Sequence, residues 1–218
     1  MSAPASLLGL ERTSLRQQAL AALRRAISVG ELPPGTHLVE TELSEMLKIS
    51  RGTLREALRE LEQEGLVSAG SRGRLSVRHL DAKEIRDVFA VRGALESLAA
   101  AGLSELTDRA AIIAELRAAI GTMGRASQGD LEARIESDLD FHRTLCNLAG
   151  NETLSRSWQA LEGTIRMSIM FAGADRAIDN MGVNRHSEIV DAIESGDAER
   201  ARTTITAHMH EAVTKLIS

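Results

Sequence analysis

The sequence predicts a mainly α-helical protein in two parts, an N-terminal winged helix-turn-helix with a small β wing and a C-terminal all-α helical bundle. Three observations predict it. Two short apolar helical stripes, around Leu43–Leu47 and Leu54–Leu61, are separated by only Lys48, Ile49 and Ser50 and are followed by a glycine- and arginine-rich hairpin. No proline occurs after Pro34. Apolar residues then recur at helical spacing from residue 80 to the end.

Composition narrows the class further. Of 218 residues, 43% are hydrophobic and only 2% aromatic, so Leu, Ile, Ala and Met must fill the interior, which suits helices. A lone Cys146 excludes an intramolecular disulfide and fits a reducing compartment; it is expected as a buried helix residue. No apolar run reaches the roughly 20 residues that span a bilayer, and Met1–Leu10 does not read as a signal peptide, so a cytoplasmic location without membrane partners is expected. The net charge of −5 hides an asymmetry: residues 1–79 carry net +2 and residues 80–218 net −7. An acidic second part does not exclude nucleic acid, because phosphate contact depends on local charge.

Residues 1–13 are an N-terminal tail. Ser14 and Gln17 resemble a capping box, and Leu15, Ala19, Leu23 and Ile27 form the first helical stripe. Gly30 and Pro33-Pro34-Gly35 end it. The second helix carries Leu43, Met46 and Leu47; the third, capped by Ser50, carries Leu54, Leu58 and Leu61. That third helix is the one that enters a major groove in this motif. Its first turn and outer face hold Arg51, Thr53, Arg55 and Arg59, with Arg51 and Arg55 on one face; the planar fork of arginine suits guanine edges and phosphates. Leu66–Ser68 and Leu75–Arg78 read as strands around a tip that offers Arg72, Gly73 and Arg74 to a minor groove or flanking phosphates. Without interleaved aromatics, this is no platform for single strands.

Beyond Asp81, which with Glu84 repeats the capping-box pattern, the first long helix is expected to bury Ile85, Val88, Arg92, Leu95 and Ala99. Leu106, Ala110, Ile113 and Leu116 mark the next, and Gly121–Gly129 is expected as a loop. A stripe of Leu131, Ile135, Asp138, His142, Leu145 and Ala149 follows, then Leu154, Leu161, Ile165 and Ile169. Phe171–Gly182 reads as irregular, and helices over Val183–Ile193 and Ala198–Leu216 close the chain, six or seven in all.

The anomaly lies in the stripes. Asp138 and His142 stand four residues apart on an apolar face, His186 shares a face with Val190 and Ile193, and His208 with Ile205 and Ala212. An acid and three imidazoles converging inside a bundle suit a divalent metal, Zn²⁺ first, with Ni²⁺ or Mn²⁺ as alternatives. His210 faces away from His208, and Glu136 and Asp140 lie off the stripe. Arg92 could clamp a small carboxylate effector beside the metal; an internal salt bridge is its other reading.

The two parts together resemble a known pairing. Leu32–Thr36, Leu38–Glu40, Leu43–Glu45, Ser50-Arg51, Leu54–Leu58 and Leu61–Val67 resemble the winged-helix domain of the GntR family of bacterial regulators. Residues 81–218 resemble the all-helical FCD domain of its FadR-like subfamily, on Arg92–Glu96, Asp138–His142, Gly150-Asn151, His186, Gly196-Asp197 and His208. The resemblance implies a homodimer on a palindromic double-stranded operator, with Arg51, Arg55 and the Gly73 wing at the DNA. It implies Asp138, His142, His186 and His208 as metal ligands, Arg92 at an effector cavity, and small organic or sugar acids as effectors. Two positions depart from the family pattern: Thr41 stands where an arginine is usual, and Gly52-Thr53 replaces Thr-Pro. The expected function is an operator-binding repressor, not an enzyme, with residues 14–79 on the DNA and residues 80–218 holding effector and metal. A metal-dependent hydrolase and a metal-binding structural protein are the alternative readings of the same side chains.

Overall fold

Within unit 1 of the computed structural model, α1 (Leu15–Ser28), α2 (Glu40–Leu47) and α3 (Arg51–Gln63) precede a hairpin of β1 (Val67–Ala69) and β2 (Leu75–Val77). The structure describes residues 14–28, 30–70, 73–172, 176, 178 and 180–217. The chain divides into two compact units, one made of residues up to Gln63 with Val67–Val77, the other of Glu64–Leu66 with Arg78–Ser218.

The Ser14 capping box forms, with the Gln17 amide donating to Ser14 Oγ and Gln17 Oε1 accepting from the Ser14 amide. It starts a helix that buries Ala19, Leu20, Leu23 and Ile27 against α3. Leu54, Ala57, Leu58 and Leu61 of α3 are fully buried and form the centre of the unit. The turn between α2 and α3 closes on Lys48, whose φ of 54° is the left-handed conformation glycine normally supplies. Its amide and that of Ile49 reach back to Glu45 and Ser44 carbonyls, which ends α2 sharply enough for α3 to start at Arg51. Met46, expected in the core, is 73% exposed: the eight-residue helix has room for one buried face, and Leu43 and Ser44 occupy it. In the wing, Val67, Ser68 and Ala69 pair antiparallel with Val77, Ser76 and Leu75. The other edge of β2 pairs with the Thr36–Leu38 segment through the Val77 and Leu38 amides, so β2 is bonded on both sides.

The second unit is built from α4 (Ala82–Ser104), α5 (Ala110–Ala126), α6 (Leu131–Leu148), α7 (Glu152–Phe171), α8 (Val183–Glu194) and α9 (Ala198–Ile217). The Asp81–Glu84 capping box forms and opens α4, which packs along α9 and also against α6, α7 and α8; α5 packs on α6 and α8. Two expectations change. Gly121–Gly129 is not a loop: α5 continues to Ala126 because Leu116, Ile120 and Met123 extend its buried stripe past Gly121. On α4 the buried residues include Ile85, Phe89, Arg92, Glu96 and Ala99, so Phe89 and Glu96 lie inside, where Val88 and Leu95 were expected. Leu106 precedes α5 and is largely exposed. Part of the Phe171–Gly182 stretch lies outside the described residues.

Candidate functional site

Three helices bring the candidate metal ligands together. His142 comes from the middle of α6, His186 from the first turn of α8 and His208 from the middle of α9, and one ring nitrogen of each lies within 4.8 Å of the others. Both His142 and His186 are fully buried, His208 is 7% exposed and Asp138 4% exposed. Asp138, one turn before His142 on α6, places Oδ1 3.0 Å from His186 Nε2 and Oδ2 4.0 Å from His142 Nε2. Phe141 closes one side, edge-on to both His142 and His186.

Hydrogen bonds on the far side of two rings orient them. His142 Nδ1 donates to Glu96 Oε2 at 2.7 Å, and His186 Nδ1 donates to the Gly182 carbonyl at 2.9 Å. Both acceptors take a hydrogen bond from the Nδ1 proton, so Nε2 of each ring faces inward and carries a lone pair whenever that ring is neutral. Those two nitrogens stand 3.2 Å apart beside the Asp138 carboxylate, and His208 Nδ1 is buried without a hydrogen-bond partner among the described residues. Two facing lone pairs, an anion and an orphaned ring nitrogen call for a positive centre among them. A proton satisfies one pair at a time; a divalent cation with nitrogen and oxygen affinity suits the whole donor set, so the residues fit a metal.

The electrostatics agree. Burial pushes His142 well below the ordinary histidine range, reinforced by the Arg92 charge. Burial does the same to His208, helped by His142 and His186. Burial opposes ionisation of Asp138, but its hydrogen bond to His186, with the charges of His186, His142 and Arg92, prevails and holds its carboxyl below the usual carboxylate range. His142 and His208 held neutral beside an ionised Asp138 are in the protonation state a metal requires of them.

Glu96 is the residue that sequence patterning missed. It is fully buried on α4 and accepts from three donors: His142 Nδ1, Arg92 Nε at 2.7 Å and Trp158 Nε1 at 2.8 Å. A glutamate at an inward position is normally excluded, and only its place one turn after an inward Arg92 signalled a pair. Arg92 therefore makes the internal salt bridge, yet its Nη2 is buried without a partner. Arg92, Asp138 and His208 border one small cavity of about 10 Å³, together with Phe89, Ile169, Asn180, Met181, Ala212 and Leu216. His210 is exposed, away from the cluster, and Glu136 and Asp140 are half-exposed partners of Arg143. Burial, with the charge of Glu96, pushes the Cys146 thiol up, out of reach of thiolate chemistry.

In the first unit, Ser50 Oγ accepts the Thr53 amide at 3.1 Å and caps α3, satisfying one of the free amides of its first turn. Arg51, Arg55 and Arg59 are exposed on it, and Thr53 is half-buried, its hydroxyl 2.9 Å from Ser50 Oγ. Glu40 at the start of α2 holds Arg55, with Nε 2.8 and 3.0 Å from its two carboxylate oxygens, and lies 3.7 Å from Arg51. Gly73 turns the wing tip at φ 69°, with Arg74 exposed beside it. Arg72 lies outside the described residues.

Comparison with known proteins bears on both units. Residues 15–77 match the family model described as bacterial regulatory proteins, gntR family, and residues 87–211 match the FCD domain. The chain is 30% identical over 201 residues to a probable D-xylose utilization operon transcriptional repressor of Paenarthrobacter nicotinovorans, covering 92% of this chain and 88% of that protein. It is 24% identical over 203 residues to the HTH-type transcriptional repressor RspR of Escherichia coli K12, covering 90% and 86%. Among solved structures, a putative GntR regulator from Rhodococcus sp. RHA1 superposes with a TM-score of 0.73 at 23% identity, covering 93% and 97% of the two chains. E. coli McbR/YncC gives 0.70 at 21%, covering 94% and 98%. These relatives are transcriptional regulators, not enzymes, and the chain belongs with them to the GntR family, as a DNA-binding transcriptional regulator that carries an FCD domain.

Proposed function

We propose that this regulator is a dimeric repressor of a palindromic operator, whose affinity for DNA is set by a small organic or sugar acid bound beside a divalent metal. Residues 14–79 form the DNA module and residues 80–218 the sensing module. One observation carries the sensing role: two buried polar groups without partners, Arg92 Nη2 and His208 Nδ1, belong to residues that border the same cavity, next to the His142–His186–Asp138 cluster. An unsatisfied guanidinium nitrogen and an unsatisfied imidazole nitrogen are what an anion and a cation respectively complete.

Asp138, His142, His186 and His208 would hold the ion, Zn²⁺ first by donor type, with Ni²⁺ or Mn²⁺ fitting the same donors. The metal supplies a Lewis-acidic position for a carboxylate oxygen. Glu96 and the Gly182 carbonyl orient two of the rings, and Arg92, anchored by Glu96, offers Nη2 to the second carboxylate oxygen. On the DNA side, Arg51, Thr53, Arg55 and Arg59 of α3 and Arg72, Gly73 and Arg74 of the wing meet the two grooves. Repression is supported by the relatives named as repressors in P. nicotinovorans and E. coli. Two half-sites one helical turn apart require a two-fold dimer.

Selection of genomic fragments with the purified full-length chain tests this, repeated after chelation and with pools of small acids. Enrichment of one palindrome whose recovery changes with an acid is the expected result. Enrichment that ignores both metal and acids would refute the sensing role.

A further inference from the structure

We propose that the acid sensed here is a short monocarboxylate with an apolar body rather than a hydroxylated sugar acid or a polyacid. This rests on the reading of the Arg92 cavity as the effector site. The polar groups of that cavity are concentrated and mostly spent. Asp138 is turned to His186 at 3.0 Å. Asn180 donates from Nδ2 to the Ala212 carbonyl at 3.1 Å and accepts at Oδ1 from Arg185 Nη1 at 3.2 Å, so both ends of its amide are engaged inside the protein. Among the described residues, what is left for a carboxylate beside the metal is Arg92 Nη2, because His208 Nδ1 goes to the ion.

The rest of the wall is hydrocarbon and thioether: Phe89, Ile169, Met181 and Leu216. A hydroxyl placed against it loses its water and gains no partner, which costs roughly tenfold or more in affinity per group. Among the described residues that line it, a second carboxylate would find no cation besides Arg92, and Arg185 already bonds the Asn180 and His208 carbonyls. Size points the same way. The cavity of about 10 Å³ holds one water-sized group, so a ligand enters only as wall side chains repack, and each added atom displaces more wall.

The test uses the full chain loaded with Zn²⁺ and two probes that share a carboxylate and a carbon chain, butyrate and 3,4-dihydroxybutyrate. Binding is read by thermal shift and by the fluorescence of Trp158, the single tryptophan, whose Nε1 bonds the same Glu96 that holds Arg92. Butyrate is expected to bind about a hundredfold or more tighter than the dihydroxy acid, roughly tenfold for each of its two hydroxyls. Ala212→Ser, which adds one hydroxyl to the wall at small cost in volume, is expected to narrow that ratio severalfold. Equal or tighter binding of the dihydroxy acid, or no effect of Ala212→Ser in the folded variant, overturns the proposal alone. Binding of neither acid, with Zn²⁺ still perturbing Trp158, overturns the carboxylate-site reading as well.

Discussion

Glu96 Oε2 accepts from His142 Nδ1 at 2.7 Å, and this bond turns the other ring nitrogen of His142 toward His186 and Asp138. The same carboxylate holds Arg92 and Trp158 through Oε1, so one buried side chain orients a candidate metal ligand, a candidate anion clamp and an indole. Glu96→Gln keeps an acceptor for His142 but removes the charge that makes its ring a strong donor to metal. Zn²⁺ affinity is expected to fall about 10- to 100-fold. Competition against a chromogenic chelator measures it, and an unchanged affinity would detach Glu96 from the site.

In the first unit the comparable pair is Glu40 and Arg55. Arg55→Ala is expected to weaken operator binding by about 1–3 kcal/mol and to relax sequence preference. Glu40→Ala acts differently: it frees Arg55 and removes a negative charge that would face phosphates, so binding to scrambled DNA tightens while the specific-to-scrambled ratio falls. Fluorescence anisotropy with both duplexes at two salt concentrations separates these outcomes. A parallel change on both duplexes would show that Glu40 contributes charge alone.

Much of the fold was legible because its signals are local. Capping boxes at Ser14 and Asp81, the Ser50 cap and the apolar stripes of α1 and α3 each depend on residues within one or two turns, and each forms. Asp138, His142, His186 and His208 were legible as polar residues on apolar faces, an anomaly that periodicity exposes directly. Glu96 and Phe89 were not. Val88 and Leu95 fit an apolar stripe on α4 better, and what draws Glu96 inward is three donors from Arg92, His142 and Trp158, two of them on other helices. Gly121 and Gly124 suggested a loop, yet packing of Ile120 and Met123 outweighs the roughly 1 kcal/mol that each helical glycine costs.

The turn at Lys48 gives a stability prediction. A lysine at φ 54° pays a steric penalty that glycine does not, and its side chain is exposed. Lys48→Gly is expected to stabilise the helix-turn-helix by about 1 kcal/mol. Hydrogen exchange at the amides of α2 and α3 should slow accordingly; faster exchange would mean that the side chain supports the turn.

The buried imidazoles make the metal-free protein acid-sensitive. Burial holds His142 and His208 well below 6.5 in the fold, while the unfolded chain takes up protons near that value. As pH falls below about 6.5, the unfolded state binds protons that the folded state refuses, and stability declines; above that pH this contribution is constant. Thermal midpoints in excess chelator, measured from pH 8 to pH 5, should fall on the acid side. A flat profile would mean that the rings take up protons in the fold as readily as in the unfolded chain.

The central claim is that acid and metal act on DNA affinity through one site. The direct measurement is operator anisotropy with the full chain in four states: metal-loaded or chelated, each with and without the acid. The acid is expected to shift the operator Kd at least tenfold in the metal-loaded protein only, and Arg92→Lys, verified as folded by its Trp158 fluorescence, is expected to lose most of the shift. An operator Kd that is the same in all four states would contradict it.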